Sequence, residues 1–446
     1  MGSVKHFDVL VVGAGHGGAQ VAIALRKRGF AGTIAVVSAE RDVPYERPQL
    51  SKDYLSGESH FDRIVLRPEA FWRECDITLL LGRAVMTLKP TARRVVLQYG
   101  DIIHYGVLVW AAGGRPRNLT CTGARLQGVF TLRSRSNVDD LRQELPSAER
   151  VVVVGSGYIG LEAAAALSKC GKQVTVVEGM SRVLAREGGE ALSRFYEAQH
   201  RAHGVEILLN AKVQTVERKG PRACGVRIRG DQVVPADLVI VDAGITPVCE
   251  PLLSAGANGA NGVVVDAYGR TSLPYIYALG DCAIHPSPYA GGAMVRLESV
   301  QNACDMATTV AKAITRELEP YTAVPSFWSD QYDLRLRTAG LFSCHDDTVV
   351  RGDPASGSFS IIYRRKGRVV AVDCVNASNE FFHGRALVQN RVAAEPAALA
   401  DSRVPLQELI ASPAVLEAAD AQSESFHGLR ERKERDTVEA RAAHAG

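Results

Sequence analysis

Two unbroken apolar runs, Val9-Leu10-Val11-Val12 and Val151-Val152-Val153-Val154, each lead into a glycine-rich turn and then into a stretch of small and apolar residues at helical spacing. The first run, from Phe7, reads as a strand followed by a helix over Ala19 to Leu25 and a second strand, Ile34-Ala35-Val36-Val37. The second repeats this order with a helix over Leu161 to Ser168 and the strand Val174-Thr175-Val176-Val177. A whole strand-turn-helix-strand unit is therefore duplicated. Each copy is predicted to close on a further strand and glycine turn, Val107 to Gly113 in the first and Leu238 to Gly244 in the second. After Pro247 the chain should return to the first unit, because Ile276 to Asp281 has no counterpart in the middle one. Ile361-Ile362-Tyr363 and Val369-Val370-Ala371-Val372 flank Lys366-Gly367 as a hairpin. From about Ala414 the rhythm is lost, and the alternating charges of Leu429 to Asp436 predict a solvated helix or a disordered extension.

The turns carry the chemistry. They read Gly13-Ala14-Gly15-His16-Gly17-Gly18 and Gly155-Ser156-Gly157-Tyr158-Ile159-Gly160. In each, the first glycine (Gly13, Gly155) permits a tight turn and the second (Gly15, Gly157) lets backbone approach a pyrophosphate. The third (Gly18, Gly160) lets helix pack on strand. The helix start, with Tyr158 and Ile159 in the second copy, adds partial positive charge. One such turn serves plain packing as readily as phosphate; two in matching context point to two dinucleotides. The copies differ where the next strand ends. Glu178 stands where a carboxylate accepts hydrogen bonds from an adenosine ribose and repels a 2'-phosphate, which favours NADH over NADPH, although Arg182 and Arg186 lie close in sequence. The equivalent of Glu178 in the first unit is Ser38, with the nearest acid at Glu40.

Bulk properties narrow the class. A length of 446 residues suggests about three domains, and a net charge of +3 argues against a nucleic-acid specialist. No apolar run reaches the roughly 18 residues a membrane helix needs, and a strand starting so near Met1 leaves no room for a signal peptide, so a cytoplasmic protein is expected. The nine cysteines are scattered, with no close pair to form a redox disulfide or a zinc knuckle, and no metal site is expected.

The prolines of Pro44-Tyr45-Glu46-Arg47-Pro48-Gln49-Leu50-Ser51-Lys52 predict an extended loop that delivers Ser51 and Lys52 to a defined place. The two turns, this loop, Ala111-Ala112-Gly113-Gly114, Tyr277 to Asp281, Arg296 to Asn302 and Phe327-Trp328-Ser329-Asp330-Gln331 occur in one order. That order, over about residues 5 to 395, resembles the NADH-dependent ferredoxin reductases of oxygenase systems, the family of putidaredoxin, rubredoxin and biphenyl-dioxygenase reductases.

The resemblance implies an α/β fold of glutathione-reductase type: an FAD domain of two segments (1–118 and 247–325), an inserted NADH domain (119–246) and a C-terminal α+β domain (326–411), with 412–446 as a charged tail. It implies FAD contacts at Glu40, Arg47, Lys52, Ala112, Gly113, Gly280, Asp281, Glu298, Ser299, Val300 and Trp328, and NADH contacts that include Arg186 and Gly244. Asp281 would accept ribityl hydroxyls. A helix starting near Ser299 would aim its amides at the flavin, with Glu298 and Gln301 beside it. Lys52 and Glu162 would pair beside the flavin as the catalytic constellation, Glu162 from the first turn of the second nucleotide helix. The implied acceptor is a [2Fe-2S] ferredoxin that serves a cytochrome P450 or Rieske oxygenase, the chain itself being a monomer or homodimer. Gln49 and Ala112 depart from the usual pattern, where relatives carry a second proline and a threonine. Two rivals share the fold: an NADH oxidase or disulfide reductase, which would need a cysteine facing the flavin, and a flavin-bearing interaction protein like the apoptosis-inducing factors.

Overall fold

The run Val9–Val12 is almost fully buried because it becomes the middle of a parallel sheet, where both faces of a strand are covered. A computed structural model of the chain describes residues 5–410. In it the sheet runs Ile77–Leu80, Ile34–Val37, Lys5–Val12, Ile102–Trp110, Arg94–Leu97, Val85–Lys89. The strand Ile102–Trp110 is long enough to do two things. Its first residues pair antiparallel with Arg94–Leu97, and its last pair parallel with Ile276–Ala278, so a segment some 170 residues later in sequence completes the first sheet. Trp110 fixes that return, its buried indole N–H donating to the carbonyl of Val248 at 2.6 Å.

The second sheet repeats the theme in the order Glu206–Leu208, Gln173–Val177, Arg150–Val154, Leu238–Val241, Val129–Thr131, all parallel. A three-stranded antiparallel sheet, Val213–Lys219, Arg222–Ile228, Val233–Pro235, shares a core with it. Where the chain leaves the first sheet and comes back to it, Gly114–Pro116 and Ile245–Pro247 lie side by side as an antiparallel pair. The helix His16–Lys27 packs on the helix Val300–Ile314 beside the first sheet.

The chain divides between Arg337 and Thr338 into two compact units. The second is built on the antiparallel ladder Asp347–Asp353, Ser358–Arg365, Arg368–Val375, with the helix Ser378–Gln389 packed on its last strand. Lys366 and Gly367 form the hairpin turn, both at positive φ. The expected helical or disordered tail lies outside the described residues.

One expectation about backbone is corrected. The segment after Glu46 is not extended: Arg47–Ser51 is a 3₁₀ turn, followed by the short helix Asp53–Ser56. Pro48 sits at the start of the turn, where its missing N–H is not needed and its fixed φ suits the turn.

Candidate functional site

The two glycine turns superpose in chemistry as well as in sequence. Gly13 and Gly155 have φ of +106° and +107°, and a Cβ at either would strike the backbone carbonyl of the residue after the facing strand, Ala111 O at 2.3 Å or Asp242 O at 2.0 Å. A Cβ at Gly18 or Gly160 would overlap the carbonyl of Gly13 or Gly155, so the helix lies as close to the turn as backbone allows. Gly15 and Gly157 each stand at a helix N-cap, before His16–Lys27 and Tyr158–Lys169. Neither N-cap residue has a side chain to cap its helix; the first helix end is left available to an anion, whereas in the second the Gly160 amide is taken by Asp242. At Gly15 only the Arg47 Nε, at 3.7 Å, would neighbour an added Cβ.

A cleft with about 1610 Å³ of empty volume opens at the first turn. Gly13, Gly15, Glu40, Arg47, Lys52, Ala112, Gly113, Gly280, Asp281, Glu298, Ser299, Val300 and Trp328 line it, together with Ile159 and Glu162 from the second nucleotide helix. Among the described residues the lining contains no cysteine. Gly18 supports the cleft from behind. Glu40, at the end of the second strand, accepts from Tyr45 Oη and is paired with Arg47, each at 2.5 Å, and Arg47 also donates to the Arg133 carbonyl at 2.7 Å. Asp281 accepts from Arg133 at 3.2 Å. The exposed Glu298 pairs with Arg296 at 2.6 Å, on the cleft rim. Ser299 caps the helix Val300–Ile314 by accepting from Asn302 N at 3.1 Å, so the positive end of that dipole meets the cleft. Gln301 is turned away along the helix to Asp305.

Lys52 and Glu162 meet at the floor of the cleft. Lys52 Nζ lies 2.5 Å from Glu162 Oε2, with side-chain exposures of 12% and 4%. Glu162 is the fifth residue of its helix and opens the second turn, not the first, because the helix already begins at Tyr158. Both of its oxygens are occupied: Ser51 Oγ donates to Oε2 and Ser329 Oγ to Oε1, each at 2.6 Å. Lys52 also donates to the Pro48 carbonyl at 3.0 Å, which ties the ammonium to the 3₁₀ turn. A buried ion pair of this kind is costly to desolvate, and the hydrogen bonds to both carboxylate oxygens offset that cost.

The remaining nucleotide candidates gather at the second turn. Glu178 accepts from Ser156 N at 2.9 Å, Ser156 Oγ at 2.7 Å and Met180 N at 2.8 Å, so the carboxylate holds the turn. Arg182, which the sequence left open as a phosphate ligand, is committed inward to the carbonyls of Leu184, Ala185 and Gly188 and to Ser193. Arg186 is exposed, and Gly244 follows the last strand at φ +80° with open space beside it. Tyr158 stacks on Phe327 at 4.4 Å between ring centres.

Several groups here escaped the sequence reading. Asp242 accepts from Gly160 N at 2.7 Å, and an added Cβ on Gly157 would come within 3.4 Å of both Asp242 and Glu187. Burial raises the Asp242 carboxyl to about 6, the Gly160 and Gly244 amides opposing and the Glu162 and Glu178 charges adding. Ordering the two repeats exposes it, since Asp242 stands where the first unit has Ala111. His16 lines the cleft with its imidazole lowered to about 4 by burial and then by Arg47 and Arg133, so it is neutral near pH 7. Arg133 had no local signal at all, and Ser51 and Ser329, though within the motifs, carried nothing to say that both would meet Glu162.

The sequence profile of the pyridine nucleotide-disulphide oxidoreductases matches residues 7–307, and that of the reductase C-terminal domain matches residues 326–410. A ferredoxin reductase subunit of 5,5'-dehydrodivanillate O-demethylase from a Sphingobium species is 53% identical over 92% of this chain and 100% of its own length. Putidaredoxin reductase of Pseudomonas putida is 37% identical over 91% of this chain and 97% of its own. The solved covalent complex of putidaredoxin reductase with putidaredoxin superposes with a TM-score of 0.87 at 36% identity, covering 91% of this chain and 98% of that one. Paired glycine turns, a cleft at the first of them floored by a buried lysine-glutamate pair, and these relatives together place the chain in the pyridine nucleotide-disulphide oxidoreductase family, among its ferredoxin reductases.

Proposed function

We propose that the chain is an FAD-dependent NADH:ferredoxin reductase that feeds electrons to a [2Fe-2S] ferredoxin serving a cytochrome P450 or Rieske oxygenase. The observation that carries this reading is the buried Lys52–Glu162 pair on the floor of a cleft whose lining, among the described residues, holds a phosphate turn and no cysteine. A disulfide reductase needs a thiol at that floor, and here an ammonium occupies it.

The residues fit FAD. The Gly13–Gly18 turn is closed against backbone at Gly13 and Gly18 and left open at Gly15, beside the Arg47 guanidinium, where a pyrophosphate would approach; Glu40 lies just beyond the neighbouring strand for the adenosine ribose, and Asp281 borders the same cleft for hydroxyls of the ribityl chain. When bound, FAD supplies the exchange between a two-electron donor and a one-electron acceptor. The protein positions and screens. Lys52 holds a fixed positive charge at the floor, the amide end of Val300–Ile314 adds a second, and Glu162 keeps Lys52 in place. Trp328 closes one wall. The turn at Gly155–Gly160 takes NADH, with Glu178 on the ribose and Arg182 out of reach. The segments 1–118 with 247–325, 119–246 and 326–411 then serve as the FAD, NADH and C-terminal domains. The ferredoxin approaches near the exposed Arg335. Among the described residues no helix is long and apolar enough to cross a membrane, and we place the reaction in the cytoplasm, where NADH is available.

Anaerobic titration of the FAD-bound protein tests the reading. NADH should bleach the flavin, and a [2Fe-2S] ferredoxin added next should restore its colour while becoming reduced. Bleaching without transfer to any such ferredoxin, or fast turnover with oxygen alone, would overturn it.

A further inference from the structure

Glu162 is the end of a buried chain of hydrogen bonds that no ion-pair description requires. Ser329 and Gln331 lie two residues apart on one face of the strand Ser326–Gln331, and both are fully buried. Ser329 Oγ contacts Glu162 Oε1 at 2.6 Å and is itself contacted by Gln331 Nε2 at 3.0 Å. Gln331 Oε1 lies 2.8 Å from His200 Nε2, and His200 Nδ1 lies 3.2 Å from Tyr332 Oη. His200 is itself 0% exposed and comes from a different helix, Glu190–Ala202.

The carboxylate sets the direction of the whole chain. An ionised Glu162 only accepts, so the single Ser329 proton points to it. Ser329 must then accept from the Gln331 amide group, which turns the Gln331 carbonyl to His200. His200 therefore carries its proton on Nε2, and its Nδ1 accepts from Tyr332. Four groups thus donate one way, toward one charge. Hydrogen bonds aligned head to tail polarise each other in a low-dielectric interior, and the last one, to an ion, is the strongest. The amide in the middle cannot pass a proton through, so the chain is no proton wire. Burial also holds the His200 imidazole low, at about 4, which keeps it neutral and the direction fixed.

We infer that Ser329, Gln331 and His200 are positioning residues for the reaction: they fix the Glu162 carboxylate and offset part of its charge, so that Lys52 presents more of its own positive charge to the cleft. This rests on the reading of Lys52–Glu162 as the pair beside the flavin. Without the chain, Glu162 neutralises Lys52 more completely, and reduced flavin loses stabilisation.

The test compares Ser329→Ala, Gln331→Met, Ser329→Thr and Lys52→Met in the FAD-bound protein, by stopped-flow reduction with saturating NADH and by redox titration of the flavin. Loss of one charge-assisted hydrogen bond predicts roughly tenfold slower reduction in Ser329→Ala, with a lower flavin midpoint potential. The effect should be smaller in Gln331→Met and largely absent in Ser329→Thr, which keeps the hydroxyl. In the unsubstituted protein, ¹⁵N NMR of the imidazoles should find His200 as the Nε2–H tautomer. A His200 proton on Nδ1, or native potential and rate in both Ser329→Ala and Gln331→Met while Lys52→Met is slow, refutes the positioning role and leaves the ion pair standing. Native reduction in Lys52→Met overturns the reading of the pair, and this inference with it.

Discussion

Replacing Glu178 with alanine separates the role its carboxylate plays in the structure, holding the second glycine turn, from the role proposed for it at the ribose. Its Oε2 accepts from both the amide and the hydroxyl of Ser156, inside the second glycine turn, and its Oε1 accepts from Met180 N. A phosphate placed about 4 Å from such a charge is repelled by about 1 kcal/mol in water and about 4 at an effective dielectric near 20. Glu178 is half-buried, so the discrimination against a 2'-phosphate should lie between those limits. At about 1.4 kcal/mol per tenfold, that is one to two orders of magnitude in the ratio of kcat/KM for NADH to that for NADPH. Glu178→Ala should collapse most of the ratio, by raising kcat/KM for NADPH and lowering it for NADH. It should not invert the ratio, because Arg182 is spent on four internal acceptors and cannot turn to a phosphate without breaking the loop it holds. Loss of three bonds also loosens the turn, and this penalty falls on both coenzymes equally. Steady-state kinetics with both coenzymes decides the matter: an unchanged ratio removes the ribose role, and a strong NADPH preference in the variant refutes the account of Arg182.

Three further outcomes are expected. Asp242, raised to about 6 from 3.8, is neutral below that pH and charged above it, beside the amides an anionic pyrophosphate needs; KM for NADH should therefore rise as pH increases through about 6, and Asp242→Asn should flatten the profile. In the second unit Asp373 is fully buried against Tyr363 Oη at 2.6 Å, and burial raises its carboxyl to about 7. Its folded form holds the proton more tightly than the unfolded chain, so stability is lost as pH climbs from about 4 to 7; calorimetry of Asp373→Asn should show a melting advantage at pH 8, roughly 4 °C or more, that vanishes near pH 4. Ferredoxin reduction should weaken with added salt if exposed basic groups such as Arg335 steer an acidic partner, whereas NADH-dependent bleaching of the flavin should change much less; a salt-independent ferredoxin rate refutes the steering.

What the sequence made legible was local. The glycine turns declare themselves because turn, close approach and helix packing all fall within six consecutive residues, and the strands on either side are apolar without interruption. The return of Ile276–Ala278 to the first sheet could be argued because that stretch has no partner in the middle repeat. The pairing of Lys52 with Glu162 came from resemblance, since nothing in the spacing of residues 110 apart brings a lysine to a glutamate. His200, and the partner of Ser329 within its motif, were invisible for the same reason: a buried polar group looks like an exposed one until the fold supplies its partners. The prolines misled in one respect, because Pro48 opens a 3₁₀ turn as readily as it stiffens an extended strand. Asp242 was readable in principle, by laying one repeat over the other, where an acid replaces an alanine.

The side-by-side pair of Gly114–Pro116 with Ile245–Pro247 has an evolutionary corollary. Because departure and return of the chain share one doorway, the backbone enters and leaves the inserted segment at a single seam, and the rest of its attachment is made by side chains such as Glu162 and Arg133. A lineage exchanging that cassette would have to keep a glutamate at the place of Glu162 to meet Lys52, while the first sheet, stitched together by Trp110 and Val248 just outside it, kept its own integrity.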